Sequence, residues 1–150
     1  MAIIFFIFGL IIGSFLNVCI YRIPLGLSIV TPPSACGSCC QRLKSKDLIP
    51  LLSWLYLKGK CRYCGESISI RYPLVELLTG LIFALTYWVF GWTWILLIYL
   101  IIYSALIAIV FIDIDHQIIP NSINLFLLII FFISNLVLEY IYWKEAFIGG

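Results

Sequence analysis

Charge is scarce in this sequence. Only 11% of its 150 residues are Asp, Glu, Lys or Arg, where soluble domains carry about 25%. With 64% hydrophobic residues and a mean hydropathy of +1.16, a soluble globular domain is excluded and a bilayer must supply most of the burial. No basic residue precedes the first apolar run and no A-x-A-like site follows it, which argues against a cleaved signal peptide and for a retained span. No glycine-rich cofactor fingerprint occurs. Histidine occurs once, and His116, alone at the edge of an apolar run, reads as incidental.

What is present is long uncharged runs and one basic segment. Ala2 to Tyr21 forms 20 positions without charge, the length a helix needs to cross about 30 Å of hydrocarbon. Leu77 to Ile112 forms 36 more, too many for one span and suited to two joined by a turn at Gly91-Trp92-Thr93. Gln117 to Leu138 makes a fourth, closed by Tyr140, Tyr142, Trp143 and Lys144, and Ala146 to Gly150 looks like the start of another element. Eight of the nine basic residues lie between Arg22 and Arg71. Basic residues in short loops remain on the cytoplasmic side, so this segment is expected to face the cytosol. A basic loop of this size and position is a topology signal, not a nucleic-acid footprint.

The fold class expected is therefore an all-α polytopic membrane protein, with about four transmembrane helices and a small cytoplasmic zinc-knuckle domain inserted after the first. The expected organisation is a first transmembrane helix over 1–22, a four-cysteine domain over 23–72 and a helical membrane region over 73–150. Within the middle segment, Asp47 to Gly59 reads as a short helix, with Asp47 as N-cap and Gly59 as stop.

That segment carries two C-x-x-C pairs, Cys36 with Cys39 and Cys61 with Cys64, separated by 21 residues. Such pairs can supply four thiolates to one tetrahedral zinc, and four protein ligands leave no open position for water, so the role is structural. Cys40 is an alternative ligand to its neighbour. Disulfides are disfavoured in a reducing compartment. Cys19, within the first run, reads as a small buried apolar residue.

Two carboxylates end the third run, in Phe111-Ile112-Asp113-Ile114-Asp115-His116. A carboxylate at a membrane boundary is costly and points to function. Two positions apart on a helix, Asp113 and Asp115 do not face each other. Asp113 is the candidate member of an aspartic dyad, and Asp115 reads as marking the wet end of the helix. Glu76 is expected to pair with Arg22 or Arg71.

In order along the chain, Gly13-Ser14-Phe15-Leu16-Asn17-Val18, Ile20-Tyr21-Arg22-Ile23-Pro24, the paired knuckles, Ile49 to Leu55 between them, Ser69 to Glu76, and Asp113 with Ile119-Pro120-Asn121 resemble the prepilin leader peptidase family of membrane aspartic peptidases. The resemblance implies an enzyme of the bacterial inner membrane. It would cleave the leader of type IV prepilins and type II pseudopilins and methylate the new amino terminus from S-adenosylmethionine. It also implies that Asp113 is the first catalytic aspartate, with Asn17, Arg22 and Glu76 as candidate polar contacts near the site. The family's second aspartate lies in a later G-x-G-D motif, which these 150 residues do not contain. The chain is therefore expected to be an amino-terminal part without peptidase activity of its own. Its partners would be a prepilin or pseudopilin and membrane lipid. A catalytically inactive scaffold that binds a pilus or secretion partner is the alternative, and methyl transfer alone is a third reading.

Overall fold

The computed structural model describes residues 1–138. Among these the architecture is all-helical. Helix α1 spans Ala2–Arg22, α2 Leu52–Tyr56, α3 Arg71–Phe90, α4 Trp94–His116 and α5 Asn121–Leu138. Helices α1, α3 and α4 are long and apolar enough to cross a membrane. Helix α5, with 18 residues, occupies the place of the fourth expected span. The aromatic closure at Tyr140 to Lys144 and the further element at Ala146 lie outside the described residues.

The helix ends follow local chemistry. Arg22 sits in the last turn of α1, where a cation complements the helix dipole. Its guanidinium then donates to the carbonyls of Ser28 at 2.9 Å and Pro32 at 2.7 Å, folding back the chain that leaves the helix. Helix α3 stops at Gly91, whose φ of +59° is readily available to glycine. Two residues later the Thr93 hydroxyl caps α4 by accepting the Leu96 N–H at 3.3 Å. The break expected at Gly91-Trp92-Thr93 is thus a tight helical hairpin. Helix α4 ends where Gln117 turns left-handed, and Pro120 precedes α5.

Helices α1 and α3 cross closely because small residues line the seam. A methyl group added to Gly9 would lie 2.7 Å from the Gly80 Cα, and one added to Gly13 would lie 2.7 Å from the Glu76 Cα. Glycine at such positions lets backbones approach where side-chain burial from water supplies no drive. Helix α4 lays Phe111 and Ile112 against Leu16, Ile20 and Val75 in one core cluster, while Phe5, Phe83, Leu96 and Leu100 form a second. Outward faces carry Ile3, Ile7, Ile11, Leu81, Leu85 and Val110, the surface expected against lipid.

The helix expected over Asp47 to Gly59 is shorter. Only Leu52–Tyr56 is α-helical, preceded by a 3-10 turn at Ser45–Asp47. Leu51, at φ +59° and ψ −50°, interrupts what would have been one element, and Asp47 does not cap it.

Candidate functional site

The polar segment between α1 and α3 is organised by two copies of one turn. In the first, Cys40 N–H donates to the Cys36 carbonyl at 3.0 Å and Cys36 N–H to that of Gln41 at 3.0 Å. In the second, Gly65 N–H donates to the Cys61 carbonyl at 3.0 Å and Cys61 N–H to that of Glu66 at 2.8 Å. Isolated bridges, Ala35 with Arg42 and Lys60 with Ser67, close each loop. The residue after the second cysteine is left-handed in both, Cys40 at φ +54° and Gly65 at φ +74°. Cys40 therefore holds the turn position that glycine holds in the other copy.

These turns aim Cys36, Cys39, Cys61 and Cys64 at one point. Their Sγ atoms all lie within 4.8 Å of one another, and Cys40 is not part of the group. A zinc ion held by four thiolates at about 2.3 Å separates the sulfurs by roughly 3.8 Å. The Cys36 and Cys64 sulfurs are 3.7 Å apart, so the cluster fits a tetrahedral metal. All six cysteines are free of disulfides. The thiols divide charge unevenly. The N–H groups of Cys39 and then Ser38 hold Cys36 down to about 6. The Glu66 N–H favours the Cys64 thiolate, but burial and the three neighbouring sulfurs outweigh it and push Cys64 up to about 12. A divalent cation held by these four sulfurs would relieve that crowding.

Asp47 braces the second knuckle from outside. Its carboxylate accepts from Arg62 Nε at 2.6 Å, from the Tyr63 hydroxyl at 3.2 Å and from Lys44 N–H at 3.2 Å. Arg62 and Tyr63 are the two residues between Cys61 and Cys64. The Arg62 guanidinium, with the other two donors, holds the Asp47 carboxyl below its ordinary 3.8. Trp54 of α2 packs over Gly59 and donates its indole N–H to the Ile68 carbonyl at 3.1 Å, anchoring the short helix beneath the same knuckle.

Where the polar segment meets the bundle, a group of buried polar residues replaces the pairings expected for Glu76. Neither Arg22 nor Arg71 reaches it; its carboxyl accepts the Leu51 N–H at 2.8 Å. Asn17 is almost fully buried and donates to the carbonyls of Gly13 at 3.3 Å and Tyr72 at 3.0 Å. Arg71 instead pairs with Asp115. Asp115 is therefore more than the wet end of α4. Sequence reasoning missed this pair because its members lie 44 positions apart and no periodicity links them. Asp113, two positions earlier, is exposed, and among the described residues its side chain has no partner. The structure thus brings the four cysteines together and, among the described residues, leaves Asp113 as a free carboxylate at the end of α4.

Comparison with known proteins adds an independent line. The model for the bacterial peptidase A24 N-terminal domain matches residues 7–90, and that for the type IV leader peptidase family matches residues 100–150. A prepilin leader peptidase/N-methyltransferase of Myxococcus xanthus (strain DK1622) is 52% identical over 82% of this chain and 37% of its own length. Proteins of the same description from Neisseria gonorrhoeae and Bacillus subtilis (strain 168) are 38% and 41% identical over 96% and 98% of this chain, each over 59% of its own length. The chain thus spans between about a third and three fifths of the length of these relatives. No solved structure matches significantly.

Proposed function

Because the chain belongs to the type IV leader peptidase family, we propose that it contributes the metal knuckles and the first catalytic aspartate of a membrane aspartic endopeptidase. The substrate is a type IV prepilin or pseudopilin, whose short leader is removed on the cytoplasmic side of the bacterial inner membrane. The same protein methylates the new amino terminus with S-adenosylmethionine. The working division is a membrane helix over 1–22, a cytoplasmic metal-binding domain over 23–72 and a helical peptidase region from 73 onward.

The observation that carries the reading is the exposed Asp113 at the end of a membrane helix, unpaired among the described residues, beside an Asp115 already engaged. An aspartic dyad needs one carboxylate ionised to take a proton from water and one protonated to polarise the scissile carbonyl. Two carboxyls sharing one site acquire these roles because proximity drives their pKa values apart. Asp113 supplies one. The other comes from a carboxylate outside these 150 residues, in the longer protein typical of the family. Cys36, Cys39, Cys61 and Cys64 would hold a zinc ion that cross-links the polar segment. With four protein sulfurs it has no open position for substrate.

The test is complementation in a host that lacks its own prepilin peptidase. A full-length protein built on this chain should cleave a prepilin leader, and Asp113→Asn should abolish cleavage by removing the only group at that position able to act as base. Undiminished cleavage by Asp113→Asn would sink the assignment.

A further inference from the structure

The two carboxylates on the last turn of α4 have different fates. Asp115 is ion-paired to Arg71, the first residue of α3, and both side chains are largely shielded, at 29% and 24% exposure. The Arg71 guanidinium also lies 5.5 Å from the Tyr72 ring. Asp113 has no partner among the described residues.

The placement runs against helix electrostatics. A cation at the start of a helix and an anion at the end of one are each disfavoured by the helix dipole. Arg71 opens α3 and Asp115 lies in the last turn of α4, so neither residue stabilises its own helix by being there. What the pair does supply is a tether. Ile112 is the last fully buried residue of α4; beyond it Asp113, Ile114 and His116 are exposed, and Asp115 is exposed as a whole residue while its paired side chain is shielded. Helix ends fray unless tied down. Among the described residues, the ion pair to Arg71 is the side-chain tether on these four.

We propose that Arg71, acting through Asp115, is a positioning residue for the Asp113 carboxylate. The pair locks the terminal turn of α4 against the start of α3 and occupies the neighbouring carboxylate, so that Asp113 alone is presented for proton transfer. This rests on the peptidase reading above. It also gives the knuckles a route to the reacting group, since Arg71 follows Cys64 by only seven residues.

The experiment measures leader cleavage by the full-length protein carrying Arg71→Met, Asp115→Asn or both, with Arg71→Lys and Asp115→Glu as conservative variants. A misplacement of about 1 Å at a reacting group can cost about 100-fold, so each single loss, which loosens the turn without removing Asp113, should lower kcat about 10-fold or more with KM little changed. The double variant should fall no further than the worse single, the signature of residues acting as one unit. The conservative variants should recover most of the rate. In parallel, carbodiimide labelling of the folded protein should modify Asp113 readily and Asp115 poorly, and Arg71→Met should make Asp115 reactive. Single variants that cleave like the parent, losses that multiply in the double, or equal labelling of both carboxylates in the parent would each overturn the proposal. A parent protein that does not cleave prepilin at all would instead overturn the peptidase reading, and the proposal with it.

Discussion

The carboxyl group of Glu76, inside the first turns of α3, accepts the backbone N–H of Leu51 at 2.8 Å. Leu51 sits at φ +59°, a conformation that costs a non-glycine residue on the order of 1–3 kcal/mol and persists only where its surroundings enforce it. The membrane helix thus holds a strained turn of the metal-binding segment in place. Glu76→Leu should orphan the Leu51 amide at a cost of about 1–3 kcal/mol, and Glu76→Gln, which keeps an acceptor, should cost less. Hydrogen exchange over residues 48–57 is the readout; unchanged protection in Glu76→Leu would show that the turn holds itself.

The knuckle geometry makes a prediction about metal. The purified chain should bind about one zinc, and Cys61→Ser with Cys64→Ser should lose it, while Cys40→Ser should retain it because Cys40 only forms the turn. Binding must expel the protons of thiols such as Cys64, which is pushed up to about 12. Affinity should therefore fall as pH falls, with the steepest loss below about 6, where the Cys36 thiolate is protonated. Chelator competition across that range measures it.

Asp47 should confer its own acid sensitivity. Its carboxyl is held below the ordinary 3.8, chiefly by Arg62. A depressed carboxylate stabilises the fold above its unfolded value and loses that contribution as pH falls through the folded value. The stabilisation should be complete above pH 3.8 and decline below it. Asp47→Asn should remove this component, seen as a flatter acid limb in thermal melts, and should weaken metal retention by loosening the Cys61–Cys64 loop.

The seam between α1 and α3 should tolerate no side chain. Gly9→Leu and Gly13→Leu each force an atom to within 2.7 Å of opposing backbone and should cost on the order of 1–3 kcal/mol or more, lowering the yield of folded protein. Gly37→Ala, with nothing within 4 Å of an added methyl, should behave like the parent.

Cys40 offers a reporter of orientation. It is exposed and outside the metal-binding group. If the basic residues of the 22–71 segment set the topology, an impermeant thiol reagent should label it only from the cytosolic side. Labelling in intact cells would reverse the orientation.

The composition by itself determined that the chain needs a bilayer, because so few charges and such long apolar runs leave no other way to bury it. It also determined the helical hairpin at Gly91, since 36 uncharged residues exceed one membrane thickness, and it singled out the four cysteines, since paired ligands are encoded by local spacing. The helix near Asp47 is shorter than its local sequence suggests because Leu51 adopts a positive-φ conformation, and its N–H is held by Glu76 on a distant element. Likewise the choice between Cys39 and Cys40 was decided by the repeated turn, and the separate fates of Asp113 and Asp115 by an arginine at the start of another helix. Periodicity and spacing report on neighbours along the chain. The pairings Glu76–Leu51, Arg71–Asp115 and Asp47–Arg62 join residues 25, 44 and 15 positions apart, and such pairings exist only once the helices have packed.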